Sequence, residues 1–380
     1  MTGLALAAIS ARMLAQAARD DGFEVAALDL FGDIDTRQAA SRWDAIGEAA
    51  AMAIDGDRLL AALASIAQAG RTAGWIAGAG FEGRPDLLER GAAMLPLIGT
   101  PADALRRVRD PQAFFALLDA HGIAHPPVRA TAPPDAVGWL VKDAHGCGGW
   151  HIRPAGEADD AGHAEGGGRY FQREVPGQPM SATFVANGRD AAILGFNQLI
   201  VRPLGGRPFV FCGAVGPVAP GEQVAARATA AVRAAAAGFG LRGLCSLDFM
   251  ADGNAVQVLE VNARPSASMA LYAARGGIVA AHVRACVQGL LPRWPPQGAR
   301  DPVHGSEFVF APRPLRLDAA AIDRLAARGD CHDIPAGPAV VGAGDPLCSV
   351  SARGPDAQAV HAMLASRRGD VLRLLEETYA

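Results

Sequence analysis

Lysine is nearly missing from this sequence. The chain carries 35 basic side chains in 380 residues, and all but Lys142 are arginine. On an open surface the two cations replace one another. A site that needs a compact ammonium rather than a planar fork does not accept the exchange. The lone lysine is therefore a candidate point charge, set against chance survival on the surface. Basic blocks are also missing, and the formal net charge is −4, so nucleic acid is not an expected partner. The cysteines, at 147, 212, 245, 286, 331 and 348, form no C-x-x-C pair, which leaves zinc-ribbon and thioredoxin-type chemistry without support. Scattered single thiols point instead to buried, reduced cysteines and a cytoplasmic protein. No apolar run reaches membrane length. The apolar opening at 4–9 has no basic residue before it and reads as a buried strand, not a leader or a span. The first strand-to-helix loop carries Ser10 and Arg12 where a dinucleotide fingerprint needs glycines. No internal repeat is visible.

Half of the residues are hydrophobic, enough for a sizeable core, and the length suits two or three domains. Residues 1–100 alternate strand and helix: strands at 4–9, 24–30 and 74–80, helices at 11–20 and 59–69. Arg12 either binds an acidic substrate group or is a solvated helix-start residue. The third strand runs into a glycine-rich loop with Phe81, Glu82 and Gly83, either a substrate-site candidate or a tight turn. A second domain is expected over 101–300. It holds a helix at 111–121, a strand at 191–201, and a helix at 223–238 capped by Gly238. Residues 159–168, rich in Gly, Ala and Asp, read as a mobile connection. A proline-rich boundary at 291–301 leads to a small β-rich domain at 301–380 that ends in a helix over 356–378. The fold class is thus α/β and α+β.

The chemistry concentrates in residues 245–265. This stretch reads as two strands joined at Asp252-Gly253-Asn254, a turn where glycine supplies positive φ. Glu260, Asn262 and Arg264 follow one another at two-residue spacing and face one side. Asp248, on the other strand, sits opposite them. Two carboxylates and an amide oxygen make a hard-oxygen set suited to Mg²⁺, and Arg264 reaches a phosphate or acyl-phosphate oxygen. The competing reading is a solvated hairpin with charges on its outer face. Upstream, a strand at 139–142 carries Lys142 into a loop with Gly146, Gly148 and Gly149, whose amides can approach phosphate oxygens. Such a loop alone is more often a turn; joined to a strand lysine and an acidic hairpin it says more. It is not a P-loop, since no Gly-Lys-Ser/Thr follows. His145 and His151 read as loop hydrogen-bonders. Asn197 and Arg202 either lie beside the phosphates or are structural. Ser268 could cap the helix after the hairpin.

The spacing Asp-x11-Glu-x-Asn-x-Arg, together with the lysine strand, the glycine loop and a 111–121 helix followed by Gly-Ile-x-x-Pro, resembles the ATP-grasp superfamily over about residues 100–300. The resemblance implies a Rossmann-like N-terminal domain, a clamp for ATP made of a small subdomain at 101–175 and a large one at 176–300, and a small C-terminal domain. By that resemblance Asp248, Glu260 and Asn262 hold Mg²⁺ (or Mn²⁺), and Arg264 and Lys142 are catalytic. Lys142, Gly146, Gly148, Gly149 and Arg109 would meet the phosphates, while Gln172, Arg173, Glu174 and Val175 form the hinge at the adenine edge. Arg109 stands where relatives carry a lysine. Gln178 and Pro179 stand where relatives carry a ribose-binding acid, and Glu174 is the local substitute. The implied activity is an ATP-dependent carboxylate–amine ligase working through an acyl phosphate on small-molecule carboxylate and amine substrates, and a homo-oligomer is compatible with it. Residues 9–12 and 29–33 look like ligases that add an amino acid such as glutamate to methanofuran- or tetrahydromethanopterin-type precursors. Residues 334–337 and 346–350 resemble the C-terminal domain of carboxylase-like members. Bicarbonate activation is therefore an alternative, and it would need a separate biotin carrier because no Met-Lys-Met occurs. A third reading is a non-catalytic ATP-binding regulator. No general base is identifiable.

Overall fold

The strand Gly3–Ala7 is buried along its whole length. Its small apolar side chains suit a central parallel strand, covered on both faces. In the computed structural model, which describes residues 2–157, 168–295, 298 and 301–378, it pairs in parallel with Glu24–Asp29 and Thr72–Ala77. Arg42–Ala45 extends the sheet, whose order is Arg42–Ala45, Glu24–Asp29, Gly3–Ala7, Thr72–Ala77. The helix Gly56–Ala69 buries Leu59, Leu60, Leu63 and Ile66, the spacing of one helical face. Asp55 starts it by accepting from the amides of Asp57 and Arg58, and Gly70 ends it in the left-handed region. This is the Rossmann-like unit expected. The connection expected at 159–168 lies, Gly168 apart, outside the described residues.

Two antiparallel sheets follow. The smaller has the order Val128–Arg129, Arg169–Arg173, Trp139–Asp143, Arg153–Pro154. The larger begins with Ala255–Asn262, Arg242–Asp252, Gln178–Asn187, Ala191–Leu204 and Arg207–Val218, and continues through Val303–Phe310, Pro346–Gly354 and Cys331–His332. The C-terminal strands therefore lengthen the large sheet, with Gly213 opposite Glu307. No described helix is long and apolar enough to cross a membrane.

Two expected caps are corrected. The helix Glu222–Phe239 ends at Gly240, not Gly238. Gly238 lies inside it, where a Cβ would come within 2.1 Å of Leu117 on the Pro111–Ala120 helix. The glycine is there for close helix contact. Ser268 caps no helix; its hydroxyl bonds Thr183 and Ser266 inside the 3₁₀ segment Ala267–Arg275.

Arg12 fits neither expectation. It is 5% exposed, and its Nε and Nη2 donate to the two carboxylate oxygens of Asp333 at 2.6 and 2.9 Å. Asp29 is equally committed: its carboxylate accepts from the amides of Ala11, Phe31 and Gly32 and from the Trp43 indole. Asp33 is buried beside Thr36, and burial together with Asp333 and Asp29 raises its acid to about 8. Arg12 thus joins the loop at 9–12 to the C-terminal strands, whereas the bonds of Asp29 stay within the N-terminal unit. Arg12→Ala, which leaves the half-buried Asp333 carboxylate with the Ser349 hydroxyl but no cation, is expected to cost about 3 kcal/mol of stability in urea unfolding.

Candidate active site

The acidic hairpin forms as the sequence suggests. Arg242–Asp252 and Ala255–Asn262 meet at a turn where Gly253 has φ +55°. Asp248 lies directly opposite Glu260, and Ser246 opposite Asn262. Between these pairs and the next, Phe249 with Val258, the register skips Leu259. That bulge decides the site. Val256 and Val258 are buried with Phe249 and Leu247. Plain alternation would put Glu260 on the same face as those valines. One extra residue re-aims the strand, so that Val261 returns to the core and Glu260 and Asn262 turn away from it.

The two carboxylates strain against each other. Burial and the Glu260 charge raise the Asp248 acid to about 7. Burial also pushes Glu260 up, but Arg109, Lys142, His151 and Arg264 together hold it below the usual carboxylate range. The Lys142 charge acts on both acids, which puts the lysine strand near the acidic hairpin.

Lys142 is 4% exposed, and its ammonium donates to Gln172 Oε1 at 3.0 Å. The two residues sit on paired strands, where Lys142 faces Tyr170 and Gln172 faces Leu140. Gln172 Nε2 is buried and has no partner. Of the other hinge residues, Arg173 and Glu174 are exposed and Val175 half-buried. Their backbone is partly committed: Arg173 N–H donates to Pro127 O and Glu174 N–H to Gly138 O. Arg109 binds the glycine loop, donating to the carbonyls of Ala144 and Gly146, and it lies 3.6 Å from Glu260. It therefore ties the loop backbone to the hairpin acid.

The glycine loop docks on the large sheet. Gly148 and Gly149 have φ +65° and +77°. Gly148 O accepts from the Phe211 amide at 2.9 Å, and Trp150 packs its ring 5.9 Å from that of Phe310. Gly146 lies against the His151 ring, whose Nδ1 is buried and unpartnered. A Cβ on Gly149 would fall 1.8 Å from Phe209 O. Gly149→Ala therefore combines a backbone clash with a left-handed φ, and is expected to weaken ATP binding about tenfold in calorimetry, the order set by the left-handed penalty alone.

Arg264 reaches back to the N-terminal unit. Its Nε donates to Glu82 Oε1 at 2.6 Å, and its Nη2 to Asn262 Oδ1 at 3.3 Å. Glu82 had appeared in the sequence only as a member of a loop. The available signal was an acid in a glycine-rich turn at the carboxyl end of a parallel strand.

Asn197 and Arg202 resolve to structure. Asn197 is fully buried, bonded to Ser181, Thr183 and the Tyr272 hydroxyl. Arg202 pairs with Glu307, which also takes Arg368.

Residues 109–268 match the ATP-grasp domain family. This stretch is an ATP-grasp domain. It contains every residue assigned above to the nucleotide and metal, Glu82 being the contribution from outside. No curated protein sequence matches the chain. Solved structures match it along nearly all its length. N5-carboxyaminoimidazole ribonucleotide synthetase from Thermus thermophilus is 21% identical, with 96% of this chain and 97% of that one covered and a TM-score of 0.66. Biotin carboxylase from Campylobacter jejuni is 14% identical over 95% and 89%, at 0.71. L-amino acid ligase from Bacillus licheniformis is 13% identical over 97% of each chain, at 0.67. At such identities the shared property is the fold, in which the ATP-grasp domain sits between an N-terminal sheet and C-terminal strands.

Proposed function

We propose that this chain is an ATP-dependent carboxylate–amine ligase that forms an amide through an acyl phosphate. The observation that carries the proposal is the cross-strand pair Asp248 and Glu260, with Asn262 beside it, tied through Arg109 to the loop that follows Lys142. The donor set fits magnesium. Both carboxylates are half-buried, Glu260 raises the cost of ionising Asp248, and a divalent cation relieves it. Among the described residues no group of three His, Cys, Asp or Glu side chains forms a metal cage. Two carboxylates and an amide leave room for phosphate and water oxygens, as Mg²⁺ prefers. When bound, the ion neutralises charge on the phosphates during transfer.

The chain's own groups do the rest. Lys142 and the amides of the glycine loop hold the α- and β-phosphates. Arg264 neutralises charge on the transferring phosphoryl group as a substrate carboxylate oxygen bonds to phosphorus and ADP leaves. The amine then attacks the acyl carbon, phosphate departs, and an amide remains. The setting we suppose is a cytoplasmic enzyme, as a monomer or a homo-oligomer.

The acceptor is open to test. A methanofuran- or tetrahydromethanopterin-type precursor was suggested by residues 9–12 and 29–33, whose Arg12 and Asp29 side chains are committed to internal bonds. Bicarbonate activation is the second reading, favoured by the likeness in fold to a biotin carboxylase. The test is ADP release measured against amino acids, small amines and bicarbonate. Release that depends on an amino acid supports the ligase. Release with bicarbonate alone overturns it, and ATP binding without any release would leave a regulatory ATP-binding protein.

A further inference from the structure

Glu82 belongs to the loop after the Thr72–Ala77 strand, yet it lies against the hairpin of the ATP-grasp domain. It is 6% exposed and both its oxygens are taken. Oε1 accepts from Arg264 Nε at 2.6 Å, and Oε2 accepts from its own loop, at the Gly80 amide, at 2.8 Å. Gly80 has φ +108°, a backbone state that side chains rarely adopt, so the bend that aims the carboxylate depends on glycine. Burial pushes the Glu82 acid up, but Arg264 and then Arg109 hold it below its ordinary range, so it is a carboxylate at neutral pH. Arg264 is fixed on its other sides as well: Nη1 donates to Pro265 O at 3.2 Å and Nη2 to Asn262 Oδ1 at 3.3 Å. A guanidinium has five N–H donors in a rigid plane. With Nε held by Glu82, one N–H on each terminal nitrogen is left.

We propose that Glu82 is a positioning residue for the ligase reaction: the N-terminal unit completes the ATP-grasp site by gripping Arg264 at Nε, so that its two spare N–H groups face the phosphoryl and acyl oxygens. The inference rests on the proposed ligase activity. It gives the N-terminal unit a part in the chemistry as well as in the fold. Without the carboxylate, the guanidinium keeps its charge but loses its orientation, and a planar fork acts through orientation.

The experiment is a double-mutant cycle. Glu82→Gln keeps an oxygen for Nε and removes the charge. Loss of a partner that orients a reacting group typically costs about 10- to 100-fold in activity. The expected result is a fall of that order in kcat for ADP release, with KM for ATP little changed and the urea midpoint retained. In an Arg264→Ala background the same substitution should cause no further loss. Wild-type kcat in Glu82→Gln, or losses that multiply in the double variant, would overturn the proposal. If Glu82→Gln folds poorly, Glu82→Asp, which keeps the charge but shortens the reach, takes its place with the same expectations. If the wild-type protein releases no ADP with any substrate, the ligase reading has failed on its own. The cycle is then read by calorimetry in the affinity for magnesium–ADP with aluminium fluoride, a mimic of the transferring phosphoryl group. Weakening confined to the Arg264 background supports positioning; equal weakening in both backgrounds, or none, refutes it.

Discussion

Glu260→Gln is expected to lower ADP release by about 10²–10³-fold, the loss typical of deleting one electrostatic stabiliser from a closed site. Glutamine has nearly the same shape, so the hairpin, its turn and the Leu259 bulge should persist. What disappears is the charge. Arg109, 3.6 Å away, loses its partner, and Lys142 loses the acid that faces it. Asp248 is left as a single carboxylate. In the protein without metal the lost repulsion toward Asp248 offsets part of the lost attraction to Arg109 and Lys142, so the urea midpoint should fall only slightly. Activity and stability thus move independently, which separates a site residue from a structural one. Measured together, an unchanged rate would remove Glu260 from the metal site, whereas a lost fold would show that the acid is needed for the hairpin.

Lys142→Arg should cost about 10²-fold in the same assay, with Lys142→Met no better, again on the scale of a lost electrostatic contact. The physical reason is shape. Lys142 is almost fully buried, and its ammonium donates to Gln172 Oε1. A guanidinium is larger and carries five donors in a fixed plane, so it overfills the slot and leaves donors unmet. The rest of the chain accepts arginine for every other cation. Full activity in Lys142→Arg would return the lone lysine to chance. Weak ATP binding by Lys142→Met, seen in calorimetry, would place the ammonium at the phosphates.

Much of the site was legible because its signals are local. Glu260, Asn262 and Arg264 share a face through two-residue spacing, and Gly253 announces the turn that sets Asp248 against them. The glycines at 146, 148 and 149 are spaced for a backbone that side chains would block, and two of them take positive φ. Where reasoning from the sequence went astray, the deciding partner lay far along the chain. Arg12 read as a substrate or solvent contact because Asp333 could not be foreseen beside it. Gly238 read as a cap because the Leu117 side chain that requires it sits on another helix. Asn197 and Arg202 found their partners in Tyr272 and Glu307.

The sequence by itself determined three parallel strands and two helices of the N-terminal unit, the acidic hairpin, the one lysine and the glycine loop, since each depends on neighbours within a few positions. Tertiary structure alone decided which face Glu260 takes, because the bulge at Leu259 answers to the core contacts of Val258 and Val261 and leaves no mark in composition. It alone also decided that Glu82 meets Arg264. Such a long-range ion pair forms only once the packing of two sheets has brought its charges together and excluded water from between them.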